Sequence, residues 1–407
     1  MIAEIIENTP PKLEKIVGLE VYATKTEGIR GKIKKLPEDF IVEEIYPEDK
    51  ILSLNTEDKN SNDKKERTSY VHFTLWKYNW DTLRAIREIS KRLRVSRKRF
   101  GFSGTKDKRA ITTQRVSLWN VPIENLMKIK IKDIEIRDPK YEKERINLGD
   151  LLGNRFTITI REIHKSENEI KENINATIKE LNFKIPGFFG LQRFGIQRPI
   201  THLVGKEILK KNFKEAVMLY LAEYSQSESE KSRNARKFLL EKQDFREAIK
   251  IFPKNLSYEI TMLNHLIKAK NDYIGALRKL PKKLRLMFIH AYQAYIFNKA
   301  LSFCIKKEIY PEKLPLVGYK SNIDEITEKI LENEGIKKED FLIKEMPEMS
   351  SEGSERDSFF EFKDFEILAI ADDEFSKDCK KVVIKFSLPK GAYATILLRE
   401  LMKNEYW

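Results

Sequence analysis

Phe102-Ser-Gly-Thr-Lys-Asp-Lys-Arg-Ala-Ile-Thr-Thr-Gln114 is the run from which the rest of the chain can be read. Gly101 and Gly104 precede a lone carboxylate, Asp107, which stands among Lys106, Lys108 and Arg109. The residues from Ile111 to Trp119 are rich in β-branched and aromatic side chains, which predicts a strand directly after the turn. Nearby cations favour the ionised form of a carboxylate. Asp107 is then a poor general acid and a candidate nucleophile or electrostatic stabiliser. The same run also suits a solvated turn, because a charge cluster alone points to function only weakly.

Immediately upstream, Asp81 can cap a helix running to about Leu93, with Leu83, Ile86, Ser90 and Leu93 near one face and Ala85 and Ile89 beside it. The helix ends in Lys91, Arg92, Arg94, Arg97, Lys98 and Arg99. Cations suit a helix C-terminus, but six exceed what one helix end needs. A phosphate-contacting tract, leading into the Asp107 loop, is the preferred reading. Ser69–Trp76 and Asn154–Arg161 read as alternating strands, and Phe40, Val42 and Ile45 form a third strand-like pattern. Thr56–Arg67 is wholly polar and charged and reads as a mobile loop.

Farther along, Ser166–Leu181 predicts a helix. The run from Ile185 to Pro199 packs glycines and phenylalanines too closely for a plain helix or strand. Its glycines permit a bend or a close approach, and its aromatic rings could stack on a base. From about His202 to Cys304 the pattern turns helical, with Phe213–Ala222, Asn234–Leu240, Phe245–Ile251 and Leu284–Ile305 as segments. Strands return at Phe360–Ala371 and Lys381–Leu388, and a last helix spans Ile396–Lys403. Sheet-rich ends around a helical middle predict a mixed α/β chain of the α+β class, with one domain inserted in another.

With 407 residues the chain suits two or three domains. Its 77 Lys and Arg against 63 Asp and Glu give a formal charge of +14, which favours an anionic partner, nucleic acid first. Cys304 and Cys379 make no metal-ligand spacing, the five histidines are scattered singly, and no apolar run reaches membrane-spanning length. These features lead us to expect a cytoplasmic protein with no metal, no membrane and a monomeric state.

The run Gly104–Gln114 resembles the signature of the TruD family of tRNA pseudouridine synthases. Pro37–Glu44, Gly149–Phe156, Phe189–Gly195, Leu388–Thr395 and Leu398–Glu400 resemble further family segments, in family order. Ala291–Asn298 and Met346–Gly353 look like the archaeal and eukaryotic branch. The resemblance spans about 31–403. It implies a pseudouridine synthase catalytic domain with a mainly antiparallel sheet, over 1–200 and 365–407, interrupted by a largely helical TruD insertion domain over 201–364. It also implies isomerisation of uridine to pseudouridine in tRNA, at position 13, by an essential aspartate and without a cofactor. Asp107 matches that aspartate and Lys34 the basic residue beside it. Phe40, Phe189 and Tyr393 match substrate-pocket positions, Tyr393 where many relatives have phenylalanine. Gly187 stands where many relatives have asparagine, so a hydrogen bond from that side chain is missing here. A non-catalytic RNA-binding protein that kept the fold is the alternative, and the retained Asp107 and Lys34 argue against it.

Overall fold

The computed structural model describes residues 9–47, 50–54 and 68–404. The polar run 56–67, expected to be a loop, lies outside the described residues. The chain forms two units. One joins Thr24–Ile185 to the segment from Phe360 onward, and the other joins the residues up to Ala23 to Pro186–Phe359.

The first unit is built on one mixed sheet. Its strands are β1 (Phe40–Tyr46), β2 (Tyr70–Tyr78), β3 (Phe100–Phe102), β4 (Ile111–Trp119), β5 (Ile134–Glu142), β6 (Gly153–Ile163), β7 (Lys363–Asp372) and β8 (Lys380–Pro389), beside a two-residue strand, Lys50–Ile51, paired with the end of β1. They run in the order β7-β8-β6-β1-β4-β2-β5, and β3 pairs with the far end of β4. β1 and β4 are parallel, while the other pairings among these strands are antiparallel. The expected mixed, mainly antiparallel fold is present.

Alternation decides which side of each strand is buried. Val71, Phe73 and Leu75 of β2 meet Val116 and Leu118 of β4, and Ala85, Ile86 and Ile89 of the helix α1 (Thr82–Arg92) join that core. Asp81 caps α1 as expected, accepting the Arg84 backbone N–H at 3.0 Å. Leu83, expected near the apolar face, is instead 54% exposed. Thr82 takes the inward position because its hydroxyl donates to the Gln114 side chain at 2.9 Å, and this sets the roll of the helix. Two further helices, α2 (Glu167–Leu181) and α3 (Ala394–Met402), and a short helical turn at Ile123–Met127 belong to the unit. Ser166 and Glu169 close a capping box at the start of α2.

The second unit is helical, centred on the 25-residue helix Lys282–Lys306. That helix buries Phe288, Ile289, Tyr292, Ile296 and Phe297. Helices Thr201–Leu209, Phe213–Ala222, Ser257–Lys268 and Glu325–Glu334 contribute to the same core. The unit boundaries fall at 185/186 and 359/360 rather than at 200/201 and 364/365. Phe188, Phe189 and Phe194 explain the earlier first boundary, since all three are buried and Phe189 and Phe194 stack edge-on against Phe297 and His202. The lead-in also belongs here. Val17 and Leu19 are buried, Asn298 donates to the Val17 carbonyl at 2.9 Å, and Ser302 donates to the Gly18 carbonyl at 2.8 Å.

Candidate active site

Asp107 lies on the loop between β3 and β4, with its side chain 46% exposed. The loop makes no regular ladder, so its backbone is held by side chains from the sheet. Ser103 donates to Glu44 Oε2 at 2.6 Å, and the Lys106 ammonium reaches the same oxygen at 2.8 Å and Asn154 Oδ1 at 2.7 Å. The other Glu44 oxygen accepts the Arg115 N–H at 3.1 Å. Thr82 accepts the Lys106 N–H at 3.0 Å, and Gln114 donates to the Gly104 carbonyl at 3.0 Å. Finally, Lys77 Nζ donates to the carbonyls of Asp107 and Trp80, both at 2.7 Å. The residues on both sides of Asp107 are thus fixed, while its carboxylate projects outward.

Glu44 and Lys106 are both buried, as is Lys77. A buried ion pair of this kind stabilises little on balance, but removing one partner typically costs about 3–5 kcal/mol. Burial pushes the Lys77 ammonium down to about 8 from its ordinary 10.5, against the opposing pull of Asp107 and Asp81.

The cation on Asp107 is not one of its sequence neighbours. Lys106 turns away to Glu44, and Arg109 donates to the Lys35 carbonyl. Lys34 fills the place, its Nζ 2.7 Å from Asp107 Oδ1. It sits in a tight turn bounded by reciprocal Lys32–Arg161 backbone hydrogen bonds, both 2.8 Å, and by the Leu36 N–H on Asp39 at 2.8 Å. Lys34 itself has φ +58°, a left-handed conformation costing a non-glycine residue about 1–2 kcal/mol. Strain kept at a charged residue facing a lone carboxylate is a pointer to function. The same ammonium lies 3.9 Å from the centroid of Phe40. Phe40 is buried, packs edge-on against Phe156, and opens β1 on the face that also carries Glu44.

Room is left on the loop at Gly104. A side chain begun at Gly104 would meet nothing within 4 Å, whereas one at Gly101 would strike the Ile146 carbonyl at 2.3 Å. Gly101 is therefore required by packing, and Gly104 is not.

The remaining expected residues are placed as follows. Tyr393 is the half-buried residue preceding α3, on the turn that follows β8. β8 pairs with β6 through Leu388 and Asn154, so this turn adjoins the residue that holds Lys106. In the basic tract, Lys91 and Arg92 share Glu88 at 3.3 Å each. Among the described residues Arg94, Arg97, Lys98 and Arg99 pair with no carboxylate. Gly187 and Phe189 belong to the helical unit. The Gly187 N–H donates to the Ser358 carbonyl at 2.7 Å, and its own carbonyl accepts from Arg356 at 2.8 Å. Phe189 is buried between Phe297 and the Arg356 guanidinium, 4.3 Å from its ring centroid, and Asn298 brackets its backbone at 2.9 and 3.0 Å.

Sequence reasoning missed Lys77, Glu44, Thr82 and Gln114. Lys77 carried a usable signal, for it continues the alternation Val71, Phe73, Leu75 into the core. The other three hold the loop from 24 to 59 residues away or across one strand, and nothing local marks them.

A mixed sheet that presents one aspartate on a braced loop defines an α+β protein with a single prepared carboxylate. Comparison with known proteins gives the family. The family model described as tRNA pseudouridine synthase D (TruD) matches residues 16–314 and 303–401. A curated relative from Methanosarcina mazei, named "Probable tRNA pseudouridine synthase D", is 37% identical over 97% of this chain and 98% of its own length. One from Methanocaldococcus jannaschii, "Probable tRNA pseudouridine synthase D 1", is 40% identical over 92% of this chain and 96% of its own. The crystal structure of the Methanosarcina mazei TruD protein superposes with a TM-score of 0.80, at 37% identity, covering 97% of this chain and 98% of that one. The chain belongs to the tRNA pseudouridine synthase D family.

Proposed function

We propose that this protein isomerises uridine to pseudouridine at position 13 of tRNA, with Asp107 as nucleophile or base. The observation that carries the reading is the Asp107–Lys34 pair at 2.7 Å, on a loop fixed from both sides. The reaction breaks the C1′–N1 bond and forms a C1′–C5 bond in its place. Asp107 attacks C1′ or removes a sugar proton, and uracil leaves as an anion carrying the electrons of the broken bond. After the base turns, C5 bonds to C1′ as the Asp107–C1′ bond breaks or as the sugar proton is returned, the C5 hydrogen leaves to solvent as a proton, and N1 takes one proton up. Product and substrate are isomers, so the chemistry calls for no redox partner and no cofactor.

Lys34 orients the carboxylate through the 2.7 Å contact with Oδ1. The open side of Gly104 leaves room for a base turned out of its stack. Phe40 lies under the Lys34 ammonium, so a uracil stacks there only once that lysine shifts. Tyr393 supports the same pocket from the turn after β8. Gly187 and Phe189 remain proposed substrate-binding residues. The cations of the tract Lys91–Arg99 hold tRNA phosphates.

Replacement by the isosteric amide tests the assignment. Asp107→Asn is expected to lower tritium release from C5-labelled tRNA at least a thousandfold, a barrier change of about 4 kcal/mol. Binding of the same tRNA should change less than threefold. Turnover within tenfold of the parent protein overturns Asp107 as the reacting group.

A further inference from the structure

A cleft of about 640 Å³ opens on the sheet unit between the end of α1 and residues 120–130. It is of the size that takes a small organic ligand or one nucleotide. Its floor is apolar, made by Leu93, Val95, Val121 and Ile129. Its wall carries four cations, Arg92, Arg99, Lys128 and Lys130, and two amides, Asn120 and Asn125, with no carboxylate among the lining residues. Among the described residues Arg99, Lys128 and Lys130 have no acidic partner, so their charge is left for something else. Trp119, 44% exposed, lies beneath the Arg99 guanidinium at 5.2 Å.

Each part selects against a simpler occupant. Three cations without an acidic partner select an anion, and an apolar floor is wasted on a bare hydrated ion. Amides beside an apolar surface suit a base edge, and an indole under a guanidinium suits stacking. We propose that this cleft is a second RNA subsite. It takes one unstacked nucleotide of the substrate tRNA, the phosphate on Arg99, Lys128 and Lys130 and the base on the floor. The inference rests on the reading of tRNA as substrate. The cleft is separate from the reacting group: Asp107 precedes the first residue of β4, and Trp119 is its last. At ~3.3 Å per residue the two ends of that strand stand about 26 Å apart. The subsite therefore holds a part of the tRNA other than the uridine that reacts, and its effect falls on affinity rather than on chemistry.

The test replaces the two lysines that lie outside the basic tract. Lys128→Ser with Lys130→Ser should weaken tRNA binding at least tenfold and lower the slope of log affinity against log salt by about 1. The turnover rate at saturating tRNA should stay within twofold. A control, Lys171→Ser with Lys179→Ser, removes the same charge from the exposed face of α2 and should leave binding within twofold. Photo-crosslinking of 4-thiouridine-substituted tRNA should label the peptide 119–130. Unchanged affinity and slope in the folded cleft variant reject the subsite. So does an equal loss in the control pair, or labelling of that peptide by free UMP or an acidic peptide but not by tRNA. If the parent protein forms no pseudouridine in any tRNA, the catalytic reading falls, and the binding and crosslinking measurements still decide the cleft.

Discussion

Lys34 and Lys77 hold Asp107 by different means. Lys34 meets the carboxylate directly and rests on the Phe40 ring, at the cost of a left-handed backbone. Lys77 never touches the carboxylate; it ties down the backbone carbonyl of the same residue from inside the sheet. Its burial has a measurable consequence. The folded protein holds the Lys77 proton only up to about pH 8, while the unfolded chain holds it to about 10.5. Between those values the unfolded state binds more protons, so stability from this group rises with pH. Lys403, buried on the carbonyls of Thr24 and Thr26, is held near 8 by the same cause and acts with the same sign. Lys77→Met removes one of the two contributions. Relative to that variant, the parent protein should gain about 3 kcal/mol between pH 7.5 and 10.5, read by urea unfolding at each pH. A difference that does not vary with pH would mean that the ammonium is hydrated.

At the scale of the element, the end of α1 departs from the usual pattern. The Arg94 N–H donates to the Lys91 carbonyl and the Val95 N–H to the Ser90 carbonyl, which closes a Schellman motif. The residue after the cap in that motif is left-handed and commonly glycine, yet here Arg94 takes it with φ +54°. Arg94→Gly should therefore stabilise the protein by about 1 kcal/mol while weakening tRNA binding. Thermal melts and a binding titration on one preparation check both signs. A variant that is more stable and binds as before removes Arg94 from the RNA surface. Most of the strands and α1 were legible from sequence, because periodicity and caps are local, while the strands Phe100–Phe102 and Ile134–Glu142 carried no clear alternation and were not read. Nor were the braces legible. Thr82 looks like a first-turn residue and Gln114 like a strand residue, and only the fold brings them onto the Gly104–Lys106 backbone. Lys106 misled for the same reason, since adjacency in sequence did not make it the partner of Asp107.

At the scale of the molecule, the helical unit is closed by residues that precede the sheet. Removing residues 1–23 exposes the surfaces that covered Val17 and Leu19, a loss of about 3–6 kcal/mol for two fully buried side chains. It also strips Asn298 of one acceptor. The tryptophans among the described residues, Trp76, Trp80 and Trp119, belong to the other unit, so their fluorescence follows the sheet and far-ultraviolet circular dichroism mainly the helices. The truncated chain should lose helicity at a lower temperature with its fluorescence transition unmoved, and a joint shift of both signals would rule out separately stable units. The same closure governs the order in which the protein can be made. Val17 is 281 residues from Asn298, and Thr24 is 376 from Glu400, whose carboxylate accepts its N–H. A ribosome adding about 5–20 residues per second separates Val17 from its partner by roughly 15–55 s. During that interval the nascent lead-in waits with its apolar side chains unburied. The helical unit then gains its last residues before the sheet receives β7, β8 and α3, so the domain begun first is also the first to be finished, and the sheet begun in the interval is completed last.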